Sequence, residues 1–279
     1  MTIGVLLLVL AAALMHATWN ALVKSGRDRM IDLTVVIVGA GLLAACVLPF
    51  VGIPDPASWP WIAGSIVTHI GYYIFLLGAY RHGALSRVYP IARGIAPLLV
   101  AVGAIPLAGE IPDPLGAIGL GLVTVGILML AIERGNMRGA QGRSVVYALL
   151  TGFCIVGYVL SDGMGVRASG NPAAYIGWTF ALESIPMALF CIWKRGWSLV
   201  PYLRRDGLRG MFGAAIAGGG YAIAIWAMSL APMAQVTALR ETSVIFGAII
   251  GALILKESFG PKRIAAAVLV AGGNALLQL

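Results

Sequence analysis

One sequence pattern occurs twice in this chain, with its copies about 147 to 148 residues apart. The first copy runs from Gly71 and Tyr73 through Arg93 to Glu110, and the second from Gly219 and Tyr221 through Arg240 to Glu257. Each copy has five apolar segments. If these segments cross a membrane, the odd number gives the second copy the opposite orientation to the first. The pattern therefore predicts two inverted five-helix repeats, residues 1–135 and 143–279.

The composition places this pattern in a membrane. Hydrophobic residues make up 60% of the chain and charged residues only 11%, and the mean hydropathy is +0.93. The apolar runs approach the roughly 20 residues that a helix needs to cross a bilayer. They are too long and unbroken for the alternating strands of a transmembrane barrel. We therefore predict an all-α membrane protein.

Ten transmembrane helices are expected. Their predicted ranges are 3–24, 32–52, 61–80, 86–107, 114–132, 144–163, 173–194, 209–229, 233–255 and 262–279. In helix four Pro90 and Pro97 flank Arg93, so we expect a kink beside that charge. The turns between helices are short, which leaves no room for a separate soluble domain.

The basic residues predict the orientation of the chain. Of the 19 lysines and arginines, 16 lie at one side, in or beside the connections after helices one, three, five, seven and nine. We call this the basic side. The opposite side has only Arg167, while Arg93 and Arg240 lie within helices. Since basic connections stay in the cytoplasm, we expect both termini outside, and the net charge of +8 needs no nucleic-acid partner.

Four ionisable residues stand out within the predicted helices: Arg93 in helix four, Glu183 in helix seven, and Arg240 with Glu241 in helix nine. Each costs at least about 2.5 to 3.5 kcal/mol in a bilayer, so each is a functional candidate. Adjacent helical positions diverge by about 100°, so Arg240 and Glu241 should each find a partner on another helix. The two arginines, a symmetry-related pair, could tie helices together, close gates, or hold a substrate carboxylate.

Glu183 is a lone carboxylate near the middle of an apolar helix. Three roles fit it: a proton-coupling group, a receptor for the ammonium group of a substrate, or a partner for Arg93 or Arg240. Charge alone does not separate these roles.

Polar and aromatic side chains on common helix faces are candidates for the wall of a binding site. They follow i, i+3 and i+4 spacing. They are His16, Trp19 and Asn20 on helix one, His69, Tyr72 and Tyr73 on helix three, Tyr158, Ser161 and Asp162 on helix six, and Tyr221 on helix eight. The alternative is that the aromatic residues only pack the helices together. His69 and Glu183 have no like partner in the other repeat, which marks them as candidates for recognition.

Three segments also carry a family resemblance. They are Trp19-Asn20 with Lys24, Pro90 to Glu110, and Ala238-Leu239-Arg240-Glu241-Thr242-Ser243 to Leu255-Lys256-Glu257. Over its whole length the chain resembles the EamA-type ten-helix transporters of the drug/metabolite transporter superfamily. The resemblance implies a central cavity surrounded by helices one, three, four, six, eight and nine, with helices five and ten at the back. It also implies a multi-pass protein of the bacterial inner (cytoplasmic) membrane, although such relatives usually keep both termini inside.

The residues and the resemblance together predict a secondary transporter of a small polar metabolite, an amino acid or a related compound, working by alternating access. The substrate and gate candidates are Arg93, Arg240, Glu183, Glu241, Trp19, Asn20, His69, Tyr73, Tyr158 and Tyr221. Two alternatives stay open: a flippase or exporter of a lipid-linked or sugar-type precursor, and an intramembrane enzyme.

No enzymatic activity is predicted, because the chain has no P-loop, HExxH or GxSxG motif. We expect no cofactor and no metal, with proton coupling as an option. The expected partners are a small-molecule substrate and the lipid bilayer, with the chain as a monomer or weak homodimer.

Overall fold

Helices form all the regular structure in the residues that the computed structural model describes, which are 1–24, 28–82, 85–131, 140–253 and 260–279. In these ranges the chain has twelve α-helices, two short 3₁₀ turns and no strand. The α-helices are α1 (Ile3–Lys24), α2 (Arg29–Val51), α3 (Trp59–His82), α4 (Leu85–Gly94), α5 (Ala96–Ala108), α6 (Pro114–Ala131), α7 (Ala140–Ala168), α8 (Pro172–Arg195), α9 (Leu199–Met228), α10 (Met233–Arg240), α11 (Ser243–Leu253) and α12 (Pro261–Leu276). The Leu255-Lys256-Glu257 motif and the basic residues Arg27, Arg134 and Arg138 lie outside the described residues.

Eight stretches of the described chain are long and apolar enough to cross a membrane, which confirms an all-α membrane protein. They are Ile3–Val23, Met30–Val51, Pro56–Ala79, Pro90–Ala108, Gly142–Ala168, Pro172–Arg195, Leu199–Met228 and Met233–Ile250. The apolar part of α6, Pro114–Leu130, is shorter. Helix α12 has 16 residues and begins with Lys262 and Arg263 in its first turn. The count of ten crossings stays a prediction.

Local capping explains where several helices begin and end. Asp28 precedes α2, and its side chain accepts hydrogen bonds from the backbone N–H groups of Met30 and Ile31. Asn171 caps α8 in the same way, and its Nδ2 also donates to the carbonyl of Val51 at the end of α2. Side-chain caps thus fix the starts of α2 and α8, which pack directly against each other.

Predicted helices four and nine are each interrupted beside an arginine. The first break follows Gly94 and places Pro97 in the first turn of α5, so the kink expected beside Arg93 is confirmed. The second break follows Arg240 and contains no proline, and the prediction of one continuous helix over 233–255 is wrong. Here the Thr242 hydroxyl donates to the carbonyl of Leu239 at 2.7 Å, a local bond that competes with the helical pattern.

Helix α9 at its start and helix α7 at its end extend further than predicted, because charged residues interrupt the apolar pattern there. Helix α9 begins at Leu199 rather than 209, since Arg204 and Arg205 continue the helix on the basic side. Helix α7 continues to Ala168 rather than 163, so Asp162 lies well inside a helix instead of at its end.

Helices α6 and α12 pack closely at the periphery. A Cβ atom built on Gly119 would lie 2.6 Å from the carbonyl oxygen of Gly273, and one on Gly273 would lie 2.6 Å from that of Gly119. Only glycine permits this approach of two helix backbones. The close packing keeps both helices away from the middle of the molecule.

The tightest core lies in the half of the molecule opposite the basic side. Val9, Val100, Tyr175 and Met233 are 0% exposed there and belong to one hydrophobic cluster. Nearer the basic side, apolar residues such as Leu33 and Ile37 on α2 line open space instead. The fold is therefore packed shut on one side and hollow toward the other.

Candidate functional site

The two helix breaks set the positions of the central charges. Arg93 lies in the last turn of α4, and Arg240 is the last residue of α10. Glu241 occupies the second break, two residues before α11 begins at Ser243. Cations are favoured at helix carboxyl ends and anions at amino ends. Interrupted helices of this kind form the substrate sites of many transporters.

Arg93 forms a fully buried ion pair with Glu241. Its Nη2 donates to Glu241 Oε1 at 2.6 Å, and its Nε donates to Glu241 Oε2 at 3.1 Å. This two-point contact joins α4 to the break between α10 and α11, with Arg93 6% and Glu241 1% exposed. The ring of His16 lies next to Arg93, with Nε2 3.3 Å from Nη1. Both charges of the pair are thus held within the protein.

Arg240 has no such partner. It is 7% exposed, its Nε atom has no hydrogen-bond acceptor, and it makes no ion pair with any residue in the described part of the chain. Its guanidinium carbon lies 4.9 Å from the ring centroid of Tyr221, a cation–π contact. Arg240 thus meets a partner on another helix, as expected, but this partner is the Tyr221 ring of α9 and not a carboxylate.

Glu183 does not pair with either arginine. Its Oε1 accepts a hydrogen bond from the hydroxyl of Tyr73 at 2.7 Å, and its Oε2 lies 3.9 Å from Nδ1 of His69. His69 Nδ1 is also 3.0 Å from the carbonyl oxygen of Ser65. Of the three roles open to Glu183, that of a static partner for Arg93 or Arg240 is excluded in this conformation.

Asp162 is a fifth buried charged group, which the sequence analysis placed only as a wall residue. It is 0% exposed and accepts hydrogen bonds from the hydroxyls of Tyr175, at 3.1 Å, and Tyr221. Its burial was missed because the predicted end of helix six, residue 163, put it at the membrane surface. It does not line the cavity but lies behind Tyr221, so that one tyrosine connects Asp162 to Arg240.

These groups surround a cavity of about 130 Å³. Of the predicted site residues, eight line it: Trp19, His69, Tyr73, Arg93, Tyr158, Glu183, Tyr221 and Arg240. Asn20 does not, since its Nδ2 donates to the carbonyl of His16 at 2.7 Å, and Glu241 lies behind Arg93. A dry cavity of similar size holds a molecule as large as benzene, so the space suits a small ligand.

The helices around the cavity are more numerous than the family resemblance implied. Predicted helices two and seven also contribute, through Val36 and Ala40 on α2 and Phe180 on α8. No lining residue comes from α6 or α12, as expected for helices at the back. The lining residues of α1 and α2 lie in the halves nearest the basic side, so the cavity extends from the middle of the molecule toward that side.

A polar cluster closes the opposite side. Glu110, after α5, pairs with Arg167 of α7 at 2.5 Å and accepts a hydrogen bond from the backbone N–H of Met233 at 2.8 Å. Arg167 also donates to the carbonyls of Met228 and Ala231, at 2.8 and 3.0 Å. The single basic residue of that side thus connects α5 and α7 to the turn between α9 and α10.

A comparison with protein families identifies the chain. Residues 142–279 match the EamA-like transporter family. The chain belongs to this family. The fold of this EamA-family protein is similar to that of another protein of known crystal structure. The two share 18% identity over 99% of this chain and 98% of that one, with a TM-score of 0.77.

No curated protein matches the sequence. Membership of the EamA-like transporter family makes the chain a multi-pass membrane transporter of the drug/metabolite type. In the described ranges no group of three His, Cys, Asp or Glu side chains could hold a metal ion.

Proposed function

We propose that this protein is a secondary transporter of a small zwitterionic metabolite, an amino acid or a related compound, and that it works by alternating access. The observation that carries the proposal is Arg240, a buried cation without a carboxylate partner that lines the central cavity. A buried charge is costly unless it is compensated. A substrate carboxylate could compensate it with two parallel hydrogen bonds.

The opposite charge in the same cavity supports a zwitterion rather than a simple anion. Glu183 lines the cavity from α8 and forms no ion pair with either arginine. A substrate that places its carboxylate on Arg240 and its ammonium group near Glu183 neutralises both. The Arg93–Glu241 pair is already neutral and contributes shape rather than net charge.

The distribution of packing supports alternating access. One half is closed by the Val9, Val100 and Met233 core and by the Glu110–Arg167 cluster, whereas the cavity extends toward the basic side. In transport this conformation would exchange with one that is closed at the basic side and open at the other. The broken helices α4–α5 and α10–α11 are the elements whose halves could tilt separately.

Helix pairing supports the inverted repeat that such exchange requires. The repeat relates predicted helix one (α1) to six (α7), two (α2) to seven (α8), three (α3) to eight (α9) and five (α6) to ten (α12). When each helix is replaced by its repeat partner, the packed pair α3 and α7 becomes the pair α9 and α1. These two helices also pack together. In the packed pairs α2 and α8, and α6 and α12, the two helices are repeat partners of each other, so each pair is unchanged by the replacement. The division into 1–135 and 143–279 remains a prediction that this pattern favours.

Glu183 is also our candidate for proton coupling. It is the cavity carboxylate that no arginine neutralises, so a proton and a substrate ammonium group would compete for it. We further propose that the protein is in the inner membrane of a bacterium with the basic side in the cytoplasm, which would make the present cavity inward-facing.

Flux into proteoliposomes tests the proposal. The purified protein is reconstituted, and uptake of a radiolabelled panel of neutral, acidic and basic amino acids is measured with and without a pH gradient. We expect uptake of at least one zwitterionic amino acid, with an apparent affinity about 10- to 100-fold weaker in Arg240→Gln. Absence of flux for every zwitterion, with transport of a sugar or lipid-linked precursor instead, would refute the proposal.

A further inference from the structure

The wall of the cavity is unusually rich in aromatic rings set at right angles. Among the described residues, six with phenyl, phenol or indole rings line it: Trp19, Tyr72, Tyr73, Tyr158, Phe180 and Tyr221. The ring of Tyr158 stands nearly perpendicular to those of Tyr72 and Tyr221, each at a centroid distance of 5.9 Å. Phe180 stacks parallel to Tyr221, also at 5.9 Å. Perpendicular rings present π faces from several directions around one space.

This aromatic wall already receives one cation. The guanidinium of Arg240 lies over the face of Tyr221. The face of an aromatic ring carries partial negative charge, and aromatic cages therefore bind quaternary ammonium groups. The remaining rings, on α1, α3, α7 and α8, line the same cavity as the Glu183 carboxylate.

Glu183 supplies the negative charge of the cavity wall, and only one of its two oxygens forms no hydrogen bond. One oxygen accepts the Tyr73 hydroxyl at 2.7 Å, and the other lies 3.9 Å from the His69 ring nitrogen. A primary ammonium group carries three N–H donors, each of which needs an acceptor. A fully methylated ammonium group has none and needs only negative charge and apolar contact. Helix α2, which packs beside α8, lines the cavity with apolar side chains, including Val36 and Ile37.

We propose that the cation subsite of this cavity selects a methylated ammonium group, so that the preferred substrate is a betaine-like zwitterion rather than a primary amino acid. This inference rests on the proposed function, because it assumes that Arg240 holds the substrate carboxylate. The Glu183 carboxylate attracts the charge, and the methyl groups contact Phe180 and the face of Tyr158 that the stacked His69 ring does not cover.

A methylation series tests the inference directly. Binding of glycine, N,N-dimethylglycine and N,N,N-trimethylglycine to the purified protein is measured by titration calorimetry, with choline as a cation that lacks the carboxylate. All three glycines present the same carboxylate to Arg240 and differ only in methyl groups. We expect affinity to rise by about tenfold or more from glycine to trimethylglycine. Glycine binding as tightly as trimethylglycine would overturn the inference and leave the proposed function intact.

Two matched variants separate the cage from the fold. Tyr158→Phe keeps the ring face and should retain the preference, whereas Tyr158→Leu removes it and should reduce the trimethylglycine advantage to about threefold or less. An unchanged preference in Tyr158→Leu contradicts the cage. Choline binding without binding of any glycine refutes the carboxylate role of Arg240 while supporting the cage. If none of the four compounds binds, both proposals fail.

Discussion

Arg93 holds Glu241 through two hydrogen bonds of 2.6 and 3.1 Å, and this contact determines which arginine is left for a ligand. Arg93 and Arg240 occupy matching positions in the two copies of the sequence pattern, each immediately before a helix break. Glu241 serves Arg93, whereas Arg240 meets no carboxylate in the described part of the chain and keeps its charge uncompensated in the cavity. Equivalent residues thus have different roles in this conformation.

Substitution of the two arginines should separate stability from binding. Arg93→Gln leaves Glu241 as a buried, unpaired carboxylate and should lower the free energy of unfolding by about 3 to 5 kcal/mol. Arg240→Gln breaks no ion pair and should change it by about 1 kcal/mol or less. The same Arg240 change should weaken substrate binding by about 10- to 100-fold, through loss of a charge-assisted contact. Thermal unfolding in detergent measures the stability effect, and titration calorimetry measures the binding effect. Equal destabilisation by both variants would contradict the assignment of Arg93 to stability and Arg240 to binding.

Removing both members of the buried pair should be milder than removing one. Arg93→Met combined with Glu241→Leu leaves no uncompensated charge and should recover most of the stability lost in Arg93→Gln. Unfolding midpoints of the two single variants and the double variant give the coupling free energy. A double variant as unstable as the sum of the single variants would argue that Arg93 and Glu241 act independently.

Glu183→Gln should uncouple transport from the proton gradient. Wild-type uptake is expected to change with an imposed pH gradient, and that response should disappear when the titratable oxygen is replaced by an amide. Tyr73→Phe is the matched control, since it removes the hydrogen bond to Glu183 but keeps the carboxylate, and its response should persist. An unchanged gradient response in Glu183→Gln would rule out this coupling role.

Weakening the Glu110–Arg167 cluster should open the closed side more often. Glu110→Gln loses the ion pair with Arg167. This ion pair, together with the hydrogen bond that Glu110 accepts from the Met233 N–H, contributes about 1 to 3 kcal/mol. An Ala104→Cys reporter, in the core of the closed half and 0% exposed, should then react faster with a membrane-impermeant maleimide added from that side.

The control for this labelling is a second reporter, Ile111→Cys, at a position 77% exposed. Both reporters are placed in a background without Cys46, Cys154 and Cys191. The Ile111 reporter should react at the same rate with or without Glu110→Gln. If the Ala104 reporter is equally slow in both backgrounds, the cluster does not hold this side closed.

Much of the fold could be predicted from sequence because membrane helices follow local rules. Apolar length and proline position predicted most helix ranges and the kink at Arg93. The break after Arg240 could not be predicted in the same way, because it depends on backbone and hydroxyl bonds at Glu241 and Thr242. Helix α9 was predicted too short, since a helix that extends past the bilayer no longer needs apolar residues.

The site was predicted as a set of residues but not as a set of contacts. Spacing on helix faces indicated Tyr73, Tyr158 and Tyr221, all of which line the cavity. The pairing of Arg93 with Glu241 depends on how helices from the two halves of the sequence pack. Residues 148 apart give no periodic signal for that pairing. Asp162 was undervalued for a simpler reason, an error of five residues in the end of helix α7.

The central claim, that Arg240 receives a substrate carboxylate, is tested most directly by comparing a transported zwitterion with its carboxamide. Competition by each compound against labelled substrate is measured in proteoliposomes carrying the wild type or Arg240→Gln. In the wild type the carboxylate form should compete about tenfold or more better than the carboxamide. In Arg240→Gln the two forms should compete about equally. The same preference in both proteins would contradict the account.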